Sequence, residues 1–151
     1  MRGEQVEDET GVAINLGVDV AIPETYISDM GQRLRAYKRI SSARDERALD
    51  VIAREMRDRF GRLPESVENL FEYARLRRLA EEMGVISVDR IAGGVAFKLS
   101  EKARVDPDRL MTLIAERPDA SFSPNGILRV PLAESGLEKA RGVLLSVRST
   151  D

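Results

Sequence analysis

The side chains that could support acid–base or metal chemistry in this chain are carboxylates, because its 151 residues contain no His and no Cys. Their absence excludes an imidazole base, a Ser-His-Asp triad, thiol chemistry and a zinc ribbon. Asp106 and Asp108 flank a proline at a predicted helix start, where helix capping accounts for them. A carboxylate-based hydrolase is therefore one functional alternative, and it would need two acids that converge in a pocket.

Glycines and arginines are the other candidates for binding chemistry. Gly61 and the Gly93-Gly94 pair lack the Lys-Ser/Thr of a phosphate-binding loop, so we interpret them as a helix stop and a turn. An accessory nucleic-acid-binding domain is the alternative function, and it would use five helix-borne arginines: Arg54, Arg57, Arg75, Arg77 and Arg78.

Acidic residues interrupt both arginine clusters, which disfavours a one-sided basic stripe. Asp50 and Arg54, like Glu55 and Arg59, have the spacing and order of ion pairs on a helix surface. Lys plus Arg number 24 and Asp plus Glu 26, a net charge of −2 that supplies no general attraction to nucleic acid or an anionic membrane. Without a run of about 20 apolar residues or an apolar signal region, we expect a soluble, cytoplasmic protein with no membrane partner.

Periodicity predicts an α+β domain over residues 14–151, preceded by a flexible lead-in or linker at 1–13. The first half is predicted as a half-buried strand and three helices, over residues 14–22, about 30–43, 45–60 and 64–83. In the first helix, Leu34, Tyr37 and Ile40 are expected to share the core side.

After Gly84 the apolar period changes to that of strands. We predict a hairpin with a Gly93-Gly94 turn, a short helix after Asp106, a second hairpin and a last helix over about 135–147. The strands of the hairpins are predicted at 85–92, 95–99, 120–122 and 127–132. Because helices come first and hairpins later, the α+β class is favoured over a doubly wound sheet.

The second helix carries two different faces. Leu49, Ile52, Met56 and Phe60 recur at helical spacing and define the core face. A second side, offset by more than a quarter turn, carries Ala48 and the four residues that we predict as a docking site, Val51, Glu55, Asp58 and Arg59. Small apolar groups combined with charges suit a polar docking surface, although an ordinary exposed helix face has the same composition.

Several ordered blocks of the sequence resemble the C-terminal domain of bacterial transcription-repair coupling factors. The blocks are IPETYI (22–27), RLRAYKRI (33–40), EMRDRFGRLP (55–64), VENL (67–70), ARLR (74–77) and MGV (83–85). Together they cover about residues 14–86 with consistent spacing, whereas the second half matches the family only in the order of its elements. We therefore expect this chain to be a domain excised from a longer protein.

The resemblance implies a non-catalytic, autoinhibitory domain. In this family the C-terminal domain docks on a UvrB-like N-terminal domain of the same protein and masks its UvrA-binding surface. The docking contacts involve the stretch that matches Glu55, Asp58 and Arg59. The full-length protein is implied to be an ATP-dependent translocase that releases stalled RNA polymerase and recruits nucleotide excision repair. Contacts with polymerase and DNA, and with ATP and Mg²⁺, would belong to other domains, so no cofactor is expected here.

Overall fold

A computed structural model describes residues 11–133 and 136–150. Of the predicted lead-in, residues 1–10 lie outside the described residues, Val12 is buried and Ala13 begins the first strand. The elements in chain order are β1 (Ala13–Asn15), α1 (Met30–Ser41), α2 (Glu46–Phe60), α3 (Glu65–Met83), β2 (Val85–Ile91), β3 (Gly94–Leu99), α4 (Pro107–Glu116), β4 (Ser121–Phe122), β5 (Ile127–Pro131) and α5 (Leu137–Val147). None of the helices within the described ranges is long and apolar enough to cross a membrane.

The chain divides into two compact units, of which Val18–Arg75 is one. This unit is helical, and its core is formed by buried side chains from the segment before α1 and from the helices. The Asp29 carboxylate accepts the Gln32 amide N–H at 2.9 Å and caps the start of α1. The core members are Ile22, Ile27, Ile40, Ala43, Leu49, Ile52, Ala53, Met56, Leu63, Val67, Leu70, Phe71 and Ala74.

The prediction that Leu34 faces the core with Tyr37 and Ile40 is wrong. Leu34 is 60% exposed, whereas Ile40 is buried and Tyr37 is half-buried. Arg33 takes the inward position of that turn, and its guanidinium donates to the carbonyl oxygens of Ile27 and Ser28 at 2.8 and 3.0 Å. Because successive residues of a helix are rotated by about 100°, Leu34 is turned away from the core.

The N-terminal strand is much shorter than the predicted 14–22. It ends at Asn15, and Gly17 adopts a positive φ of +71° that interrupts an extended strand. Val20 and Ile22 contribute to the helical core rather than to a sheet. The Ile22 amide N–H donates to the Tyr37 hydroxyl at 2.6 Å instead of to a neighbouring strand.

The other unit contains the described part of residues 1–17 together with residues 76–150, and it is built on a five-stranded sheet. The strand order is β1-β2-β3-β5-β4, with β1 parallel to β2 and every other pair antiparallel. The mixed sheet and the order of helices and hairpins confirm the predicted α+β class. Of the last predicted helix, Ser135 lies outside the described residues and α5 runs over Leu137–Val147.

The first hairpin turn is displaced by one residue from its predicted position. The turn residues are Ala92 and Gly93, and Gly94 already pairs with Ile91 in the ladder. Gly93 has a φ of +78°, a backbone conformation that residues other than glycine rarely adopt. A Cβ at Gly94 would overlap the carbonyl oxygen of Val130, so this glycine permits the close approach of β3 and β5.

Candidate docking site

The helix that carries the predicted docking residues has well-defined ends. The Asp45 carboxylate accepts the Ala48 amide N–H at 2.8 Å at the start of α2. Gly61, with a φ of +96°, ends the helix, and its N–H donates to the Arg57 carbonyl oxygen at 2.9 Å. Leu49 and Ile52 are buried on the core side, so the helix is fixed in its rotation about its own axis.

The four predicted docking residues lie on the exposed part of α2, beside its core face. Val51 is 42% exposed, and Glu55, Asp58 and Arg59 are all exposed. At about 100° per residue the four fall within roughly a quarter turn of one another. The helix therefore presents them together, as one apolar side chain among two carboxylates and a guanidinium. We call these four residues the α2 face.

Arg39 of α1 contacts the α2 face, a contact that the sequence did not predict. Its Nη1 lies 2.8 Å from Oε1 of Glu55, and both side chains are about half exposed, 52% and 55%. The predicted Glu55–Arg59 pair is therefore replaced by a contact between two helices. The available signal was that α1 carries basic residues and no acid, so any acidic partner of Arg39 would lie outside that helix.

Arg59, the last residue of the α2 face, contacts Phe60 at the C-terminal end of α2. The Arg59 guanidinium carbon lies 5.1 Å from the centroid of the Phe60 ring, a distance typical of a cation–π contact. The Phe60 ring is tilted against Tyr26, with 5.8 Å between their centroids. The Tyr26 hydroxyl shares its proton between the carbonyl oxygens of Met56 and Gly61, at 3.2 and 2.7 Å. Burial raises the pKa of Tyr26, and the nearby Arg57 charge partly opposes that effect.

A groove of about 180 Å³ runs between α1 and α2, beside the α2 face. We call it the α1–α2 groove. Its lining includes four charged residues, Arg35, Arg39, Glu55 and Arg59. It also includes the apolar residues Ile52 and Met56. Ile52 and Met56 are buried, whereas the charged residues are exposed. The groove thus combines an apolar base with a rim in which guanidinium groups outnumber carboxylates.

Arg75 is one of the arginines that the nucleic-acid alternative requires, but it is paired with carboxylates inside the protein. Its side chain is only 15% exposed and contacts Asp50, Glu46 and Glu72 at 2.7, 3.2 and 3.1 Å. Asp50 therefore pairs with Arg75 and not with Arg54, its predicted partner. Burial alone would lower the Arg75 pKa, but the Asp50 hydrogen bond and the three carboxylate charges raise it on balance.

The remaining arginines of that alternative are divided between two environments. Arg54 and Arg57 are exposed on α2, whereas Arg77 and Arg78 are half-buried on α3, and each makes an interaction within the protein. Because three carboxylates balance the charge of Arg75, this residue does not offer the unpaired cation that binding along a phosphate backbone favours.

The acidic residues that the hydrolase alternative would use have structural roles or lie apart from one another. Asp106 is the N-cap of α4 and accepts the Asp108 amide N–H at 2.9 Å, as predicted. Asp108 and Glu116 line one cavity of about 280 Å³, but they are eight positions apart on α4, which separates their backbone positions by about 12 Å along the helix. Within residues 11–133 and 136–150, no group of three acidic side chains is arranged to hold a metal ion.

Comparisons with known proteins identify the same family over most of the chain. The TRCF domain model matches residues 16–110, a range that contains α1, α2 and the α2 face. The transcription-repair-coupling factor of Haemophilus influenzae is 38% identical over 105 residues, which are 70% of this chain and 9% of that protein. The same-named proteins of Escherichia coli and Mycobacterium tuberculosis are 34% and 37% identical, over 78% and 86% of this chain and 10% of each relative.

The fold agrees with the sequence match. A crystal structure of the C-terminal domain of transcription-repair coupling factor superposes with a TM-score of 0.76 at 20% identity, covering 89% of this chain and 88% of that one. The chain spans about a tenth of the length of the curated relatives it matches. The chain therefore belongs to the TRCF domain family, and its sequence and fold are those of the C-terminal domain of a transcription-repair coupling factor.

Proposed function

We propose that this chain is a non-catalytic, autoinhibitory docking domain. Its α2 face would bind the UvrB-like N-terminal domain of the same transcription-repair coupling factor and so mask the UvrA-binding surface. The observation that carries this proposal is the exposed α2 face itself, with Val51, Glu55, Asp58 and Arg59 presented together within the region that matches the family. The face offers charged groups that can fix the register of an interface and an apolar side chain that can be covered by it.

The protein that contains this domain would be an ATP-dependent DNA translocase of the cytoplasm. It would release RNA polymerase stalled at damage and recruit nucleotide excision repair, with ATP and Mg²⁺ held by motor domains elsewhere in its chain. Two observations support this wider role: the relatives carry the name transcription-repair-coupling factor, and the matched region is about a tenth of each of them.

The docking interface must be stable enough to keep the coupling factor closed and weak enough to let it open. Interdomain interfaces within a chain typically bury about 600–1,500 Å² and are more polar than permanent ones. Moving a two-state closure from 99:1 to 1:99 requires about 5.5 kcal/mol of differential binding. Loss of a buried interfacial charge pair costs about 2–5 kcal/mol. Reversing two charges of the α2 face is therefore expected to open most molecules while the domain stays folded.

The test is the double substitution Glu55→Arg with Asp58→Arg in the full-length coupling factor. We expect UvrA capture in a pull-down and the basal ATPase rate both to rise, because the masking contact is lost. The matched control is Glu116→Arg with Asp119→Arg, which has the same spacing and charge change at two exposed positions that do not belong to α2. UvrA capture and ATPase that both stay at wild-type levels in the α2 variant would show that the docking face is wrongly assigned.

A further inference from the structure

The α1–α2 groove contains more positive than negative charge, although the chain as a whole carries a net charge of −2. Arg35, Arg39 and Arg59 line it, and Glu55 is the acidic residue among its lining side chains. Glu55 is already engaged by Arg39 at 2.8 Å. The excess of guanidinium groups is therefore available to a ligand that brings negative charge.

The Arg39–Glu55 pair places a condition on any partner that covers this surface. Both side chains are about half exposed, so water still solvates them and their pairing is weak. A partner that offered only cations to the α2 face would draw Glu55 away from Arg39. Arg39 would then be buried without a counter-charge, which is strongly unfavourable. The partner must supply an acidic group opposite Arg39 as well as a basic group opposite Glu55.

We infer that the α1–α2 groove receives an acidic side chain, Asp or Glu, from the protein surface that docks on the α2 face, with Arg35 and Arg39 as its ligands. The inference rests on the proposed docking function and adds the chemistry of the partner. One intramolecular pair would be exchanged for two intermolecular pairs, so every charge that is desolvated keeps a partner. Arg35 and Arg39 thereby become determinants of partner specificity, beside the acids of the α2 face.

The size and composition of the groove favour a protein side chain over other anions. Its volume of about 180 Å³ is smaller than the roughly 300–1,000 Å³ of sites for free small ligands. Its base is formed by the buried Ile52 and Met56, which suit the methylene groups of an acidic side chain. Phe60 is half-buried against Tyr26, so the groove lacks the fully open aromatic face on which a nucleic-acid base would stack.

The first experiment reverses the charge of the groove in the full-length coupling factor. Arg35→Glu with Arg39→Glu is expected to weaken closure by about tenfold or more and to raise UvrA capture. Arg54→Glu with Arg57→Glu is the control, because it makes the same charge change on another side of α2. If the groove variant leaves UvrA capture unchanged while Glu55→Arg with Asp58→Arg raises it, the groove inference is overturned and the docking function stands. If neither variant raises capture, the docking function itself has failed.

The second experiment separates partner recognition from a merely structural role of the ion pair. Arg39→Glu combined with Glu55→Arg restores the contact between α1 and α2 with its polarity inverted. Continued opening of this swapped variant supports recognition of the partner's charges, whereas recovery of wild-type closure would show that the pair only holds the two helices together.

A nucleic-acid ligand gives a different result. Fluorescence anisotropy of the 151-residue chain with a labelled single-stranded DNA oligonucleotide is the test for such a ligand. A nucleic-acid site would give submicromolar affinity that falls steeply as the salt concentration rises. Such binding, if abolished by Arg35→Glu with Arg39→Glu, would assign the groove to nucleic acid and contradict an acidic protein partner. Absence of DNA binding, together with opening of the full-length groove variant, supports the inference.

Discussion

Replacing Arg75 by Ala removes a cation of α3 that holds two carboxylates of α2. The Arg75 Nη2 lies 2.7 Å from Oδ1 of Asp50, and its Nε lies 3.2 Å from Oε1 of Glu46. Within α3 itself, Nη1 lies 3.1 Å from Oε2 of Glu72. The substitution would leave three carboxylates close together and expose the apolar surface that the Arg75 stem covers.

The magnitude follows from the exposure of the partners. Glu46 and Asp50 are 58% and 60% exposed, so each pair contributes about 0.2–1 kcal/mol. Glu72 is only 27% exposed, so water replaces its partner less well and we assign that pair about 1 kcal/mol. The sum is about 2 kcal/mol of lost stability. For a chain of this length, such a loss lowers the melting temperature by about 4–8 °C.

The assay is urea and thermal denaturation of the 151-residue chain, followed by circular dichroism. Arg54→Ala is the matched control, because Arg54 is exposed on α2 and is expected to change stability by less than about 0.5 kcal/mol. A double-mutant cycle of Arg75→Ala with Asp50→Ala should give a coupling energy of about 0.5 kcal/mol, which is the share of this pair in the sum. Equal stability of the Arg75 and Arg54 variants, or a coupling energy near zero, would refute the reasoning.

Two further substitutions test the packing of the fold, one in each unit. Gly94→Ala should destabilise the chain by several kcal/mol or prevent folding, because the new Cβ would overlap the Val130 carbonyl oxygen, and denaturation curves measure this. Tyr26→Phe should cost about 1 kcal/mol, because the carbonyl oxygens of Met56 and Gly61 lose a donor. Since burial raises the Tyr26 pKa above its ordinary 10.0, stability should fall as the pH rises beyond 10, and Tyr26→Phe should flatten that fall.

Each of these substitutions has a control within the chain. Gly142→Ala places the same methyl group in open space on α5, where Ala is expected to stabilise the helix slightly. Wild-type stability of the Gly94 variant would contradict the close approach of β3 and β5. Tyr37→Phe is the tyrosine control, and because the Tyr37 hydroxyl accepts from the Ile22 N–H, this variant should also lose stability. Stability above pH 10 that falls equally in the Tyr26 variant and the wild type would contradict the role assigned to Tyr26.

The limits of α2 and the position of its core face were predictable from the sequence because their causes are local. Asp45 precedes the helix and accepts a backbone N–H three residues on, and Gly61 follows it with a positive φ. Leu49, Ile52 and Met56 then recur at helical spacing and are buried. The exposed position of the α2 face follows directly from these features.

Periodicity was less informative where neighbouring residues compete for one position. Leu34 has the spacing of a core residue in α1, but Arg33 occupies the inward position by donating to two backbone carbonyl oxygens. In the hairpin, Gly93 and Gly94 are equally able to form a turn when considered alone. The approach of Val130 from a distant strand requires the second glycine within the ladder, which moves the turn to Ala92 and Gly93.

By itself the sequence determined the helices, their caps, the α+β class and the side of α2 that carries Glu55. Only the tertiary structure decided which cation each carboxylate meets. Asp50 and Glu55 each have an arginine four residues along the helix, yet they pair with Arg75 and Arg39 of neighbouring helices. The physical reason is that a pair on one helix surface contributes only a few tenths of a kcal/mol. A guanidinium that packing brings within 3 Å easily displaces it, and no local pattern encodes that approach.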